Sequence, residues 1–170
     1  MYAAQTFSQA PDNRRIQMGW LRTHTYGGAI PDQMYSQGFT LPQELTLKET
    51  DKGLRMMYQP VKEVEKLRDK KLTDDPTELS LAEGKYTEVI IEFEKSSWHS
   101  LTINGIKAGF HGKKARIFTD QNMNEIYMDD GIEYRARSRQ PADLNSTTTS
   151  VDAKSKIKSL TIYTLKSIWN

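Results

Sequence analysis

Arg14-Arg15-Ile16-Gln17-Met18-Gly19-Trp20-Leu21, preceded by Tyr2-Ala3-Ala4-Gln5-Thr6-Phe7 and followed by Leu41-Pro42-Gln43-Glu44-Leu45-Thr46-Leu47, decides the reading of this chain. Ile16, Met18 and Trp20 recur at every second residue, the period of a strand with one covered face. Residues 2–7 and 14–22 therefore read as two strands turning at Pro11-Asp12-Asn13. Residues 23–38, with Gly27, Gly28, Pro31 and Gly38, lack periodicity and read as a linker. Residues 43–49 and 54–59 form a predicted hairpin about Thr50-Asp51-Lys52-Gly53, where Gly53 supplies the positive φ of the turn.

The same alternation runs through the rest of the chain. Val61, Val64 and Leu67 interrupt it at helical spacing after Pro60, which predicts one short helix over residues 61–72. Strands are expected again at 86–94, at 100–103 and 106–110 around the type I′ pair Asn104-Gly105, and then at 114–119, 124–128 and 132–138. Residues 139–155 are rich in Ser, Thr, Asp and Asn and read as a long surface loop, and 157–168 is the closing strand. So many short strands between turns predict an all-β fold, an antiparallel β-sandwich.

Composition sets limits on function. In 170 residues, 24 basic and 22 acidic side chains are interleaved, giving a net charge of +2 and no nucleic-acid face. No apolar run approaches the roughly 20 residues of a membrane span. A basic-then-apolar leader is not expected at the N-terminus. With no cysteine there is no disulfide, thiolate metal site or Cys nucleophile. His24, His99 and His111 lack zinc-binding spacing, so no metal site is expected. Among carboxylates, Asp120 with Glu125 and the adjacent Asp129-Asp130 are the pairs to weigh for acid–base chemistry, and Asp74-Asp75-Pro76 the candidate calcium loop. Asp129-Asp130-Gly131 and Asp74-Asp75-Pro76 both have turn chemistry, and adjacent strand residues project to opposite faces. All of these are expected to be structural.

The three opening segments resemble the region joining the two domains of glycoside hydrolase family 32, whose pattern reads roughly Y-A-x-Q-T/S-F, G-R-R-I-x-x-G-W, F/L-P-x-E-L-T-L. The resemblance continues in Ala115-Arg116-Ile117-Phe118-Thr119-Asp120, Asn124-Glu125-Ile126-Tyr127-Met128 and the closing Leu165-Lys166-Ser167-Ile168-Trp169. Thr119-Asp120-Gln121-Asn122 departs from the family's usual V-D-R-S. The resemblance implies a β-propeller followed by a β-sandwich. Residues 1–38 would be an N-terminal hairpin left over from a propeller blade plus linker, and 39–170 the C-terminal sandwich. It also implies a parent enzyme, secreted or periplasmic, that cleaves β-fructosidic bonds in fructan or sucrose through a covalent intermediate without metal or organic cofactor. The family's W-M-N-D-P-N-G, R-D-P and E-C motifs, which carry its nucleophile and acid/base, do not occur in these residues. This chain is therefore expected to be structural or accessory, with no catalytic residue of its own.

His24 stands where the family often has a Trp bordering the fructose pocket, so the resemblance makes it a substrate-binding candidate. A second class of function is a stand-alone carbohydrate-binding module that stacks sugars on Trp98, His99, Phe110, His111 or Tyr127. Phe110 and Tyr127 fit the strand alternation and are expected in the core. Trp98 and His99 follow Ser96-Ser97 in an apparent turn and are expected to be exposed, which makes Trp98 the binding candidate. The first two strands, as remnants of a blade, are expected to pair with a second copy in a homodimer or to fold back on their own sandwich.

Overall fold

In the computed structural model, the described residues are 1–22, 37–51, 53–120, 123–138 and 146–167. They form two antiparallel sheets. The first holds β1 (Tyr2–Thr6), β2 (Arg15–Arg22), β3 (Gln37–Phe39), β4 (Gln43–Thr50) and β5 (Gly53–Pro60). Its order is β1-β2-β4-β5, with β3 paired to the C-terminal end of β2. Pro42 has no N–H to donate, so β3 and β4 run as two pieces along β2. Thr40 bridges the gap: its amide donates to the Gly19 carbonyl at 2.9 Å and its hydroxyl accepts from the Gly19 amide at 3.0 Å.

Counting β3 and β4 as one interrupted strand, this sheet is a four-strand meander whose spatial order follows the chain, as strands do in a propeller blade. The sheet continues past residue 38, with β4 and β5 hydrogen-bonded into it beside β2. The N-terminal strands are accordingly paired within their own chain, Ile16 opposite Glu44 and Gln17 opposite Gln43.

The second sheet is β10-β9-β8-β7-β12-β6, with β11 beside β7. Its strands are β6 (Arg68–Thr73), β7 (Thr87–Ile103), β8 (Ile106–Thr119), β9 (Met123–Met128), β10 (Glu133–Ser138), β11 (Ser150–Val151) and β12 (Ile157–Leu165). The predicted helix is shorter than expected. A 3-10 turn covers Lys62–Leu67 and buries only Val64, while Arg68–Thr73 bond to β12 as a strand. Pairing with an available edge overrides the local helical spacing.

β7 and β8 are continuous where the sequence suggests breaks, and they meet at Asn104-Gly105 with φ of 49° and 77°, the expected hairpin turn. Their register jumps between Glu92 and Ser97. Six residues of straight strand span about 20 Å, yet the Phe93 and His99 rings stack with centroids 3.8 Å apart. The sheet therefore turns back on itself here. Val89, Ile91, Ala115 and Ile117 on one limb share an apolar core with Leu101, Ile103, Ala108 and Phe110 on the other. That is the sandwich. Strand alternation sends the next residues the other way: Phe118 and Tyr127 join Val61, Val64, Ile16, Leu41 and Tyr58 in a second core, between the bent sheet and the blade-like one. No helix of the described residues is long and apolar enough to cross a membrane.

Candidate functional site: the junction of the two sheets

The densest polar chemistry lies in that second core. Glu125 on β9 is 3% exposed and accepts three hydrogen bonds, from the Leu41 amide at 2.6 Å, the Tyr134 hydroxyl at 2.6 Å and the Tyr127 hydroxyl at 3.2 Å. The Tyr127 hydroxyl in turn accepts from Gln43 Nε2 at 3.3 Å, and Gln43 Oε1 accepts from Gln17 Nε2 at 2.9 Å. One chain of polar groups thus crosses from β2 through β4 into β9 and β10. Burial pushes the Glu125 carboxyl above its ordinary range, and the three donors pull back against it. Burial, followed by the neighbouring carboxylate, pushes both tyrosines up as well, so they stay hydroxyl donors.

Rings and backbone complete the joint. Tyr58 of β5 stacks on Tyr134, with centroids 6.2 Å apart, and Tyr134 meets Tyr127 at 5.0 Å. Gly131 sits at φ +92°, and a Cβ there would overlap the Tyr58 carbonyl oxygen and lie 2.8 Å from its carbon. Gln59 Nε2 donates to the Asp130 carbonyl beside it. Arg14, whose side chain is 12% exposed, grips Glu63 with both terminal nitrogens at 3.1 and 2.8 Å. The same guanidinium holds the Glu63 carboxyl down to about 2.

Glu125 is enclosed by the donors above. Asp129 Oδ1 accepts from the Lys113 and Lys114 amides at 2.7 and 2.9 Å, fixing β8 beside its bend, and Asp130 faces Lys114 at 3.5 Å. Asp74 is taken by Lys71 and the Thr161 hydroxyl, both at 2.8 Å. A cleft of about 360 Å³ lies beside Gln59, Glu92, Lys114 and Asp130. Its acids are ion-paired, Glu92 with Lys158 at 3.1 Å and Lys113 at 3.3 Å. Among the described residues no group of three or more His, Asp or Glu is placed to hold a metal.

Of the ligand-binding candidates, His24 lies outside the described residues. Trp98 is 61% exposed, on β7 and not in a turn. His99 is a correction: it is 2% exposed, stacked on Phe93, with Nδ1 2.5 Å from the Ser155 hydroxyl and Nε2 3.1 Å from the Lys95 carbonyl. The bend of β7 turns it inward. Phe110 and Tyr127 are buried, as their alternation predicts.

Two clusters escaped the sequence reading. One is the Glu125 hub. The other is Glu88, fully buried, which receives Arg68 through two bonds at 2.6 and 2.9 Å and Arg116 at 2.6 Å. Both acids sit in alternating strands where a solvent face is the default expectation, and in register Glu88 lies opposite Phe118 and Tyr163 and Glu125 opposite Phe118 and Ala136, so strand pairing alone does not mark them.

Comparison with known proteins places this architecture. Residues 1–60, the whole of the first sheet, match the family model described as the glycosyl hydrolases family 32 N-terminal domain. A levanase of Bacillus sp. (strain L7) is 36% identical over 72 residues, 42% of this chain and 8% of that protein. A levanase of Bacillus subtilis (strain 168) is 27% identical across 99% of this chain, which covers 33% of that enzyme's length. The solved sucrose-6-phosphate hydrolase of Lactobacillus gasseri has the same fold over 98% of this chain and 41% of its own, with a TM-score of 0.73 at 18% identity. The chain thus spans a third or less of these two levanases. The match to the family-32 N-terminal domain ends where the blade-like sheet ends, and the levanase similarity continues through the sandwich, so the chain resembles glycoside hydrolase family 32 over both sheets.

Proposed function

We propose that this chain is the last blade and C-terminal sandwich of a β-fructoside hydrolase, and that its role is to hold the blade in place. The similarity to levanases and to a sucrose-6-phosphate hydrolase makes fructan or sucrose the substrate class of the whole enzyme. The observation that carries the structural role is the Glu125 hub, which ties residues of the blade to the sandwich through buried, directional bonds. Retaining hydrolysis needs two carboxyl groups about 5–5.5 Å apart across the scissile bond, and the acids described above are each committed to structural partners. On this reading the blade unit is residues 1–60 and the sandwich unit 61–170. His24 would border the sugar, donating or accepting through either ring nitrogen.

The test is complementation. A Bacillus subtilis levanase shortened to end before the segment equivalent to residue 1 is co-refolded with this chain and assayed for fructose release from levan. Recovery of release, lost when Glu125→Ala is used, supports the reading. A complex that forms without recovering release counts against it. Among the described residues the outer edge of β1 has no strand beside it, and a homodimer through that edge is the proposal for how it is covered. Light scattering at micromolar concentration giving the mass of one chain would refute that dimer.

A further inference from the structure

The outer face of the far limb carries one feature that the junction does not use. The Trp98 indole packs against Gly109: a Cβ on residue 109 would overlap Cζ2 and sit 3.1 Å from Cε2 and Cη2. A larger residue at 109 would have to displace the ring. The six-membered-ring edge of the indole meets the glycine, and Trp98 is 61% exposed. His111, directly across in register, is exposed on the same face. Around the same glycine, Arg135 Nη1 donates to the Gly109 carbonyl at 2.6 Å, and its Nη2 meets Glu133 at 3.3 Å. The platform is thus preset, with imidazole, guanidinium and carboxylate groups at hand.

The surroundings select the occupant. The other side chains facing outward in this register are Ser100, Thr102 and Lys107, so the indole is a single apolar disc in a polar field. A protein partner needs a contiguous apolar core of some hundreds of Å². A sugar ring needs one aromatic face for its C–H side and donors and acceptors at its rim for its hydroxyls. We propose that Trp98, set on Gly109, is a non-catalytic binding site for a neutral saccharide, and that its ligand is the β-fructan chain. The ligand identity rests on the fructosidase reading above; the site itself does not.

The experiment is calorimetric titration of the full chain with levan, and separately with dextran, following tryptophan fluorescence in parallel. Levan is expected to bind and to change the emission. Trp98→Ala should weaken binding by about tenfold or more, as hot-spot tryptophans do. Gly109→Ala keeps the indole but lifts it off the sheet, so it should also weaken binding while far-UV circular dichroism stays that of the parent. Levan affinity unchanged in Trp98→Ala overturns the site, as does no binding of either polysaccharide by the parent chain. Dextran binding through Trp98 without levan binding upholds the site and refutes the fructan assignment alone.

Discussion

Glu125→Ala removes the acceptor of three donors at once. The Leu41 amide at 2.6 Å is fixed by the backbone and cannot turn to water, and the hydroxyls of Tyr134 and Tyr127 lose their shared partner. An orphaned buried donor costs about 1–3 kcal/mol, and the tyrosines recover part of theirs by rotating, so a loss of about 2–4 kcal/mol is expected. At about 2–4 °C per kcal/mol for a chain of this size, the thermal midpoint should fall by roughly 5–15 °C. Tyr134→Phe keeps the ring stack on Tyr58 and removes one bond to the carboxyl, so it should cost about 1.5–3 kcal/mol. The pH dependence adds a sign. Burial raises the folded pKa of Glu125, so the contribution of this group is full below its unfolded value and is lost as pH rises through the folded one. Glu125→Gln cannot ionise, so its stability relative to the parent should improve as pH rises from 4 to 8. Denaturant melts across that range read both effects. A loss below about 1 kcal/mol for Glu125→Ala would refute the buried hub. A Glu125→Gln variant that worsens with rising pH would show that the donors outweigh burial.

Three further outcomes follow from the same geometry. Gly131→Ala combines a positive φ with overlap on the Tyr58 carbonyl and should cost about 2–4 kcal/mol by chemical denaturation, with protease cutting between the sheets increased. Glu88→Ala removes the fully buried carboxylate that Arg68 and Arg116 share; both arginines are partly exposed and keep Glu65, so the loss should be about 3 kcal/mol, the low end for breaking a buried pair. Arg14 lowers the Glu63 carboxyl from 4.5 to about 2, so this pair stabilises above the higher value and its contribution is lost as pH falls toward the lower; Glu63→Gln should flatten the acid limb of stability between those values.

The strands were legible where local chemistry and tertiary role agree. Asn104-Gly105 and Gly53 announce their turns because positive φ is a backbone demand that few residues meet. Residues 61–72 misled because Val61, Val64 and Leu67 do recur at helical spacing, and the free edge of β12 is not visible along the chain. The bend of β7 lies in Glu94-Lys95-Ser96-Ser97, a polar run that reads as a strand end but acts as a corner, and this is why His99 is buried while Trp98 is not. Gly38 looks like linker chemistry along the chain, yet it lies in β3, one of two pieces that pair with β2. Glu125 shares β9 with Tyr127, but Leu41 and Tyr134 come from two other segments, and no local pattern encodes them.

The central claim is that the carboxyl groups of this chain hold the fold together and do not cleave sugars. Fructose release from levan, inulin and sucrose by the purified chain, measured against buffer, tests it directly. The account predicts no release above background. Turnover that disappears on mutating Glu125 or Asp120, in a variant that still melts cooperatively, would contradict it.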